Sequence, residues 1–483
     1  MIIWEHEFSA LVEASGELKT FVSGLDLQER LDPRDSFFGG RTNAAKLFHE
    51  ADPDEDILYM DFTSLYPSVN KFARYPLGHP SIITRDFKPL SQYFGIAKVK
   101  VLAPRGLFHP VLPYKSNSKL KFALCRTCAD SEQQDTCQHN DDQRSFVGTW
   151  CTPEISKALE KGYVLVKTYE VYHWEESTQY DPNTKVGGIF TQYVDTFLKI
   201  KQESSGWPAW CKTQTDKDKY VHDYFEHEGI QLDPTKIKKN PGLRAMSKLQ
   251  LNSFWGKYGQ RPNMPQTTLV HADDLETLYT ILTDPTKHAH DFHIMTDKLA
   301  QIQWTHKTNM IPENDASNIF VATFTTCFAR LKLYGLLDML QERILYYDTD
   351  SVVFTSKPGE QNPPLGDYLG DLTDELEGDP IKIFVSGGPK NYAYQTKSGK
   401  QTCKVRGFNL NPSVNSTLIN FQTMEDMVLT PDRSGSVDVV NPSKISRDKH
   451  SAKLYNRWES KMYRLVYTKR VVLPDLNTLP YGY

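Results

Sequence analysis

Residues 57–60 (Ile-Leu-Tyr-Met) are a short apolar run of strand-favouring side chains that stops on a carboxylate, Asp61. Ser64-Leu65-Tyr66-Pro67 then turns the chain away from that strand. A second run, Ile344 to Tyr347, leads into Asp348-Thr349-Asp350, and apolar residues resume at Val352. That order predicts a tight hairpin with acids at its tip. Helical spacing appears elsewhere. Ile189 to Lys201 carries apolar residues at 190, 193, 194, 197 and 198, the stripe of an amphipathic helix. Pro241-Gly242 and the glycines at 256 and 259 bracket another helix, on which Arg244, Lys248, Asn252 and Trp255 share one face. Asn318 to Leu340 reads as a long helix leading into the acidic hairpin, and 293–307 as a hairpin of its own. The polar stretch Glu203 to Asn240 reads as a solvated linker or, through Lys236 to Lys239, a phosphate-binding patch. Ser356 to Gly378 reads as a loop. Near the C-terminus, Lys453, Arg457, Lys461 and Arg464 fall on one face of an expected helix, interleaved with Tyr455, Trp458 and Tyr463.

Composition adds boundaries to this pattern. A chain of 483 residues with 39% hydrophobic content can bury a large core and hold several subdomains. No apolar run reaches 18 residues, so no membrane partner is expected. The N-terminus lacks the basic flank and long apolar core of a secretory signal. Seven cysteines in so long a chain do not make a disulfide framework, which fits a reducing, intracellular setting. The net charge of −4 does not exclude a polyanionic partner, because local charge decides that. From Asn441 to Tyr483 there are nine Lys/Arg and three Asp/Glu, a local net of +6. This suits duplex phosphates bound without sequence readout.

Charge placement then points to chemistry. A carboxylate at the end of a buried strand is costly unless a cation or metal ion faces it. A lone Asp there is ordinarily a solvated strand end. Asp348 and Asp350, two residues apart on an extended chain, point to one face, an arrangement best tolerated beside divalent cations. With Asp61 on a neighbouring strand, the three would form the oxygen ligand set of a Mg²⁺ pair. The Arg244–Trp255 stripe taken alone is a solvated helix face. Beside an acidic metal cluster it suits a triphosphate and a base. A separate group, Cys125-x2-Cys128 and Cys137-x-His139, offers four soft ligands within fifteen positions, a set suited to tetrahedral structural Zn²⁺. Cys151 is its reserve ligand; Cys211, Cys327 and Cys403 stand isolated.

The three stretches Asp61 to Ser68, Lys248 to Gly256 and Tyr346 to Ser351 resemble motifs A, B and C of family B DNA polymerases, in the family's order. "FFGGR" (Phe37 to Arg41) is similar to the YxGG element of the protein-primed branch, and "KNY" (Lys390 to Tyr392) to its KxY motif. The Polinton (Maverick) group of animal genomes and viruses is the nearest resemblance, covering roughly residues 30–483. It implies an α+β right-hand fold with palm, fingers and thumb. The expected parts are a GG-containing linker over 1–50, palm over 51–188 with a cysteine-rich insertion at 114–151, fingers at 189–260, a second insertion and palm at 261–395, and thumb at 396–483.

The resemblance also implies roles. Asp61 and Asp350 would hold two Mg²⁺, with Mn²⁺ as a substitute, and Asp348 would support them. Phe62, Ser64 and Leu65 would touch the triphosphate through the backbone, and Tyr66 would sit beneath the sugar and exclude a 2′-hydroxyl. Arg244 and Lys248 would neutralise phosphate charge, and Asn252 and Trp255 would line the new base pair. Gly39, Gly40, Arg41, Lys390, Tyr392, Lys453, Arg457 and Lys461 would bind DNA. The family usually has Tyr where Trp255 stands. Partners implied are a DNA primer–template, deoxynucleotides and a terminal priming protein, at a nuclear or viral replication site. Only 60 residues precede Asp61 and none supplies a DxE pair, so no 3′–5′ exonuclease is expected within this chain. Met1 to Asp35 would be the tail of that domain. The alternatives are a non-catalytic DNA-binding remnant and a reverse transcriptase, although the latter has adjacent paired acids where Thr349 intervenes here.

Overall fold

A computed structural model describes residues 3–24, 29–312, 317–408, 410, 415–430, 435–448 and 453–483. Its centre is a nine-stranded sheet. The strands that matter for the site are β1 (Thr42–Ala44), β2 (Asp56–Phe62), β3 (Ile344–Asp348), β4 (Ser351–Ser356), β5 (Ile381–Gly388), β6 (Asn391–Thr396) and β7 (Gln401–Val405). They lie in the order β1-β3-β4-β2-β5-β6-β7, every neighbour antiparallel. The apolar runs that end on acids are therefore two inner strands of one sheet, β2 and β3, with β4 between them. Ile57, Leu345, Val353 and Phe384 are buried within it, which explains why those runs are unbroken.

Four helices frame the sheet: α1 (Leu65–Phe72), α2 (Thr191–Glu203), α3 (Pro241–Tyr258) and α4 (Ile319–Leu340). Asn240 caps α3 through Leu243 N–H, Pro241 occupies its first turn, and Gly259 ends it, as the sequence predicts. The α2 helix packs beside α3. Asn318 caps α4, whose length and composition would let it cross a bilayer; most of it is buried inside the fold instead. It is the core helix behind β2 and β3.

Several expectations are corrected. The stretch 203–240 contains a 15-residue helix, Gln214–Glu228, opened by a Thr213/Asp216 capping box and burying Tyr220, Val221 and Tyr224. Its three buried apolar residues are too few against so many charges for the apolar period to show. Within 356–378, Leu372–Asp374 forms a strand on β2. The hairpin at 293–307 is larger, Lys287–Thr296 with Leu299–His306, and Gln266–His271 adds a third strand. The basic C-terminal segment is not a helix: Ser436–Arg447 and Leu454–Arg464 pair as a long hairpin. Positions 453, 457 and 461 are spaced by four, which keeps them on one face in either conformation. Arg464 and Trp458 fall on the other face, and Trp458 is 74% exposed.

Candidate functional site

β2 and β4 place Asp61 opposite Ser351, and the Phe62 N–H donates to the Asp350 carbonyl at 2.7 Å. The two acids, far apart in sequence, thus sit side by side at one edge of the sheet. Between β3 and β4, Thr349 takes the left-handed region at φ +58°. The turn is held from outside, since Thr349 N–H donates to the Arg41 carbonyl at 2.8 Å. Gly40 lies against it so closely that a Cβ there would be 2.7 Å from Thr349 Cγ2. The GG element therefore serves as a seat for the acidic turn.

That turn separates the acids predicted to share a face. Asp350 and Asp61 line one cavity of about 500 Å³. Asp348 is outside its lining, accepting from Thr42 Oγ1 at 2.7 Å and from Lys390 Nζ at 2.8 and 3.0 Å. A tight turn with one left-handed residue breaks the alternation on which the same-face expectation rested. Asp348 is tied into an ion pair while Asp350 faces Asp61.

The remaining predicted nucleotide residues gather at the same cavity. Phe62 contributes from the end of β2, Ser64 from the turn, where it sits at φ +55°, and Leu65 and Tyr66 from the start of α1. Arg244, Lys248 and Asn252 contribute from α3. Trp255, one turn further, stacks on Tyr66 with centroids 4.6 Å apart and planes 17° off parallel. Sequence reasoning missed Lys201, which reaches the cavity from α2 and donates to Ser64 Oγ at 3.2 Å. It also missed Thr373 in the lining and Glu375, whose charge bears on both acids. These three carry no local signal, since only the packing of α2 and of the 372–374 strand brings them in.

Burial, the neighbouring Asp350 and Glu375 push the Asp61 carboxyl up to about 7, against the opposing charges of Lys248 and Lys404. Burial and Asp348 push Asp350 up to about 6, opposed by Lys390. Lys201 is driven down to about 8 by burial and by Arg244 and Lys248. A carboxyl whose folded pKa is raised binds its proton more tightly folded than unfolded, so stability falls as pH climbs from the ordinary carboxylate range toward 7. Metal-free protein is expected to melt several degrees lower at pH 8 than at pH 5, and Asp61→Asn to flatten that fall. Equal pH slopes for the two proteins in calorimetry would refute it.

The hard oxygen donors of two adjoining, partly buried carboxylates fit a divalent cation. The DNA-binding assignments fare less evenly. Lys390 is half exposed at Asp348. Arg41 is buried, donating to the Pro110 carbonyl at 2.7 Å and lying over Phe122, so it offers DNA no charge. Tyr392 is likewise buried, its hydroxyl 2.9 Å from that of Tyr59. Both support the sheet instead. Gly39 offers its carbonyl to Arg330, and Lys461 donates to the Gly407 carbonyl. Arg457 pairs with Glu459 on the hairpin, and Lys453 stands at its start.

The cysteine group closes as predicted. The ligand atoms of Cys125, Cys128, Cys137 and His139 all lie within 4.8 Å of one another. His139 Nδ1 is 3.5, 3.2 and 3.6 Å from the three sulfurs. Three thiols and an imidazole of that size suit Zn²⁺. Cys151 is not part of it: it lies beside Cys327 and Glu154, so Cys327 is not isolated either. Strand pairing carries Cys151 away from the knuckle to the far side of the sheet formed by 95–102 and 146–151.

Paired acids on adjoining strands thus face a cationic helix across one cavity. Residues 19–215 match the family model for DNA polymerase type B, organellar and viral. Over 96% of the chain the fold matches a structure of phi29 DNA polymerase complexed with primer-template DNA and incoming nucleotide substrates, with a TM-score of 0.53 and 14% identity, covering 73% of that chain. A phi29 polymerase complex with primer-template DNA alone matches at a TM-score of 0.52, also at 14% identity and with 96% and 73% covered. No curated protein matches the chain. The match over residues 19–215 and the fold likeness both agree with the resemblance that the three motifs carry.

Proposed function

We propose that this chain is a template-directed DNA polymerase that extends a primer 3′ end with deoxynucleotides, from a mobile element or virus that replicates by protein priming. The observation that carries the reading is the shared cavity of Asp61, Asp350, Lys201, Arg244 and Lys248. Asp61 and Asp350 would hold Mg²⁺ ions, which when bound would activate the primer hydroxyl and offset charge on the triphosphate and departing pyrophosphate. The chain's own residues do the positioning. Lys201, Arg244 and Lys248 set three cations opposite the acids, so a triphosphate is gripped between them and the turn at 62–65. The Tyr66 ring, held by its stack on Trp255, would lie beneath the sugar and exclude a 2′-hydroxyl. Asn252, one turn before Trp255, would face the base.

The basic hairpin with Lys453, Arg457 and Lys461 would act as a thumb on the duplex. Its Arg447 Nη2 lies 3.7 Å from Met295 Sδ on the 287–306 hairpin, so the two arms meet and could enclose a duplex. The Cys125–His139 knuckle would hold a structural Zn²⁺. One zinc per chain by elemental analysis is expected, falling to near zero in Cys125→Ser.

Primer extension with Mg²⁺ on matched DNA and RNA templates tests the main reading. Incorporation on DNA is expected. Incorporation only on RNA would make the chain a reverse transcriptase. Tight primer–template binding with no incorporation would make it a binding remnant.

A further inference from the structure

The C-terminal segment crosses back over the catalytic sheet and brings in a cation that no motif includes. Tyr467 Oη lies 2.6 Å from the Ala44 carbonyl, to which it donates, and 2.7 Å from Asn43 Oδ1. Asn43 pairs with Tyr347, the neighbour of Asp348. The Tyr467 ring presses on Gly388, where a Cβ would meet it at 2.9 Å. The next residue, Thr468, accepts from Lys119 Nζ at 2.5 Å. Arg470 is buried and donates to Thr478 Oγ1 and its carbonyl, both at 2.9 Å. Further on, the Leu124 and Cys125 N–H groups donate to the Tyr481 carbonyl at 2.8 and 3.2 Å. The strap is thus pinned at the sheet and again at the cysteine knuckle, and Lys469 is fixed between them.

Lys469 is partly buried and makes no ion pair among the described residues. The charges that face it are Asp348 and three cations, Arg406, Lys390 and Lys119. Asp348 is already occupied by Lys390 and Thr42. Lys119 shares Glu132 with Lys121. Four cations from four separate segments therefore converge where the local carboxylates are spent: Lys119 Nζ reaches Thr468, the neighbour of Lys469, and the Arg406 N–H donates to the Lys390 carbonyl at 3.0 Å. Burial and mutual repulsion make such a cluster costly unless an anion completes it. It lies on the Asp348 side of the acids, whereas Lys201, Arg244 and Lys248 lie on the Asp61–Asp350 cavity side. In-line displacement needs the attacking strand to enter opposite the leaving pyrophosphate.

We propose that Lys469, with Lys119 and Arg406, forms a phosphodiester-binding subsite for the primer strand beside Asp348. This rests on the polymerase reading for its ligand. The test is equilibrium binding of a labelled DNA primer–template, without nucleotide, across a salt series, for wild type, Lys469→Gln and Lys469→Arg. Lys469→Gln is expected to weaken binding about 5- to 10-fold and to lower the slope of log Kd against log salt by about one, while Lys469→Arg keeps the slope. The KM for deoxynucleotide should stay unchanged. If Lys469→Gln does not fold, Arg406→Gln, at an exposed site on the same cluster, takes its place with the same expectation. An unchanged Kd and slope, or an equal loss of nucleotide affinity, overturns the proposal. Wild type that binds primer–template but does not extend it would sink the polymerase reading while the salt comparison still decides the subsite.

Discussion

Asp61→Asn is expected to reduce primer extension by at least about 10³-fold, with melting temperature at neutral pH held or raised. Asp61 ends β2 with its carboxyl in the cavity, and no cation among the described residues pairs with it directly. On the proposed reading its side chain serves a divalent ion. Asn keeps the shape and removes the charge, so folding loses nothing while the ion would lose half of its anchoring pair. The reciprocal change, Asp350→Asn, should match it. A single-turnover assay across Mg²⁺ concentrations separates the outcomes, because weakened metal affinity shifts the Mg²⁺ midpoint upward as the plateau falls. Loss of less than tenfold would show that Asp61 does not sit at the reacting centre. Asp348→Asn should be milder, since that side chain is engaged by Lys390 and Thr42.

The second large effect is on stability. Glu154→Ala is expected to cost about 3–5 kcal/mol, read from the urea midpoint. Arg330 on α4 is buried and donates from Nε and Nη2 to the two Glu154 oxygens, each at 2.8 Å. Its Nη1 donates to the Phe38 and Gly39 carbonyls at 2.7 and 3.1 Å. Removing the carboxylate leaves a guanidinium in the interior without a counter-charge. Replacing both partners with apolar residues, Glu154→Leu with Arg330→Met, should recover much of that loss. The double variant should nevertheless extend primers poorly, because the Gly39–Gly40 seat beneath Thr349 has lost its tether. A cost below about 1 kcal/mol for Glu154→Ala would show that the pair is not the brace the geometry indicates.

These two sites differ in how far they could be read in advance. Asp61, Asp350, Arg244, Lys248 and Asn252 announced themselves, because each depends on a short pattern: a strand end, a turn, or a helix face with a spacing of four. The cysteine knuckle was equally visible, its four ligands lying within fifteen positions and closed by a small loop. The Arg330–Glu154 brace was invisible, because nothing in either segment states its partner. Arg41 and Tyr392 were misjudged for the same reason. Their residue types suit DNA, but burial beneath the sheet commits one to the Pro110 carbonyl and the other to Tyr59.

By itself the sequence determined which residues could carry charge at strand ends, which helix face holds the cations, and where soft metal ligands cluster. Period and spacing are local, and local sterics enforce them. Only the tertiary structure decided that Asp348 is turned away to Thr42 and Lys390, that Lys201 and Glu375 complete the surroundings of Asp61 and Asp350, and that the basic C-terminal segment is a hairpin. A spacing of four suits helix and strand alike, so packing of Val439 and Tyr463 onto the core had to choose. The strap carrying Lys469 past Asp348 was likewise fixed by hydrogen bonds to residues hundreds of positions away, which no local pattern encodes.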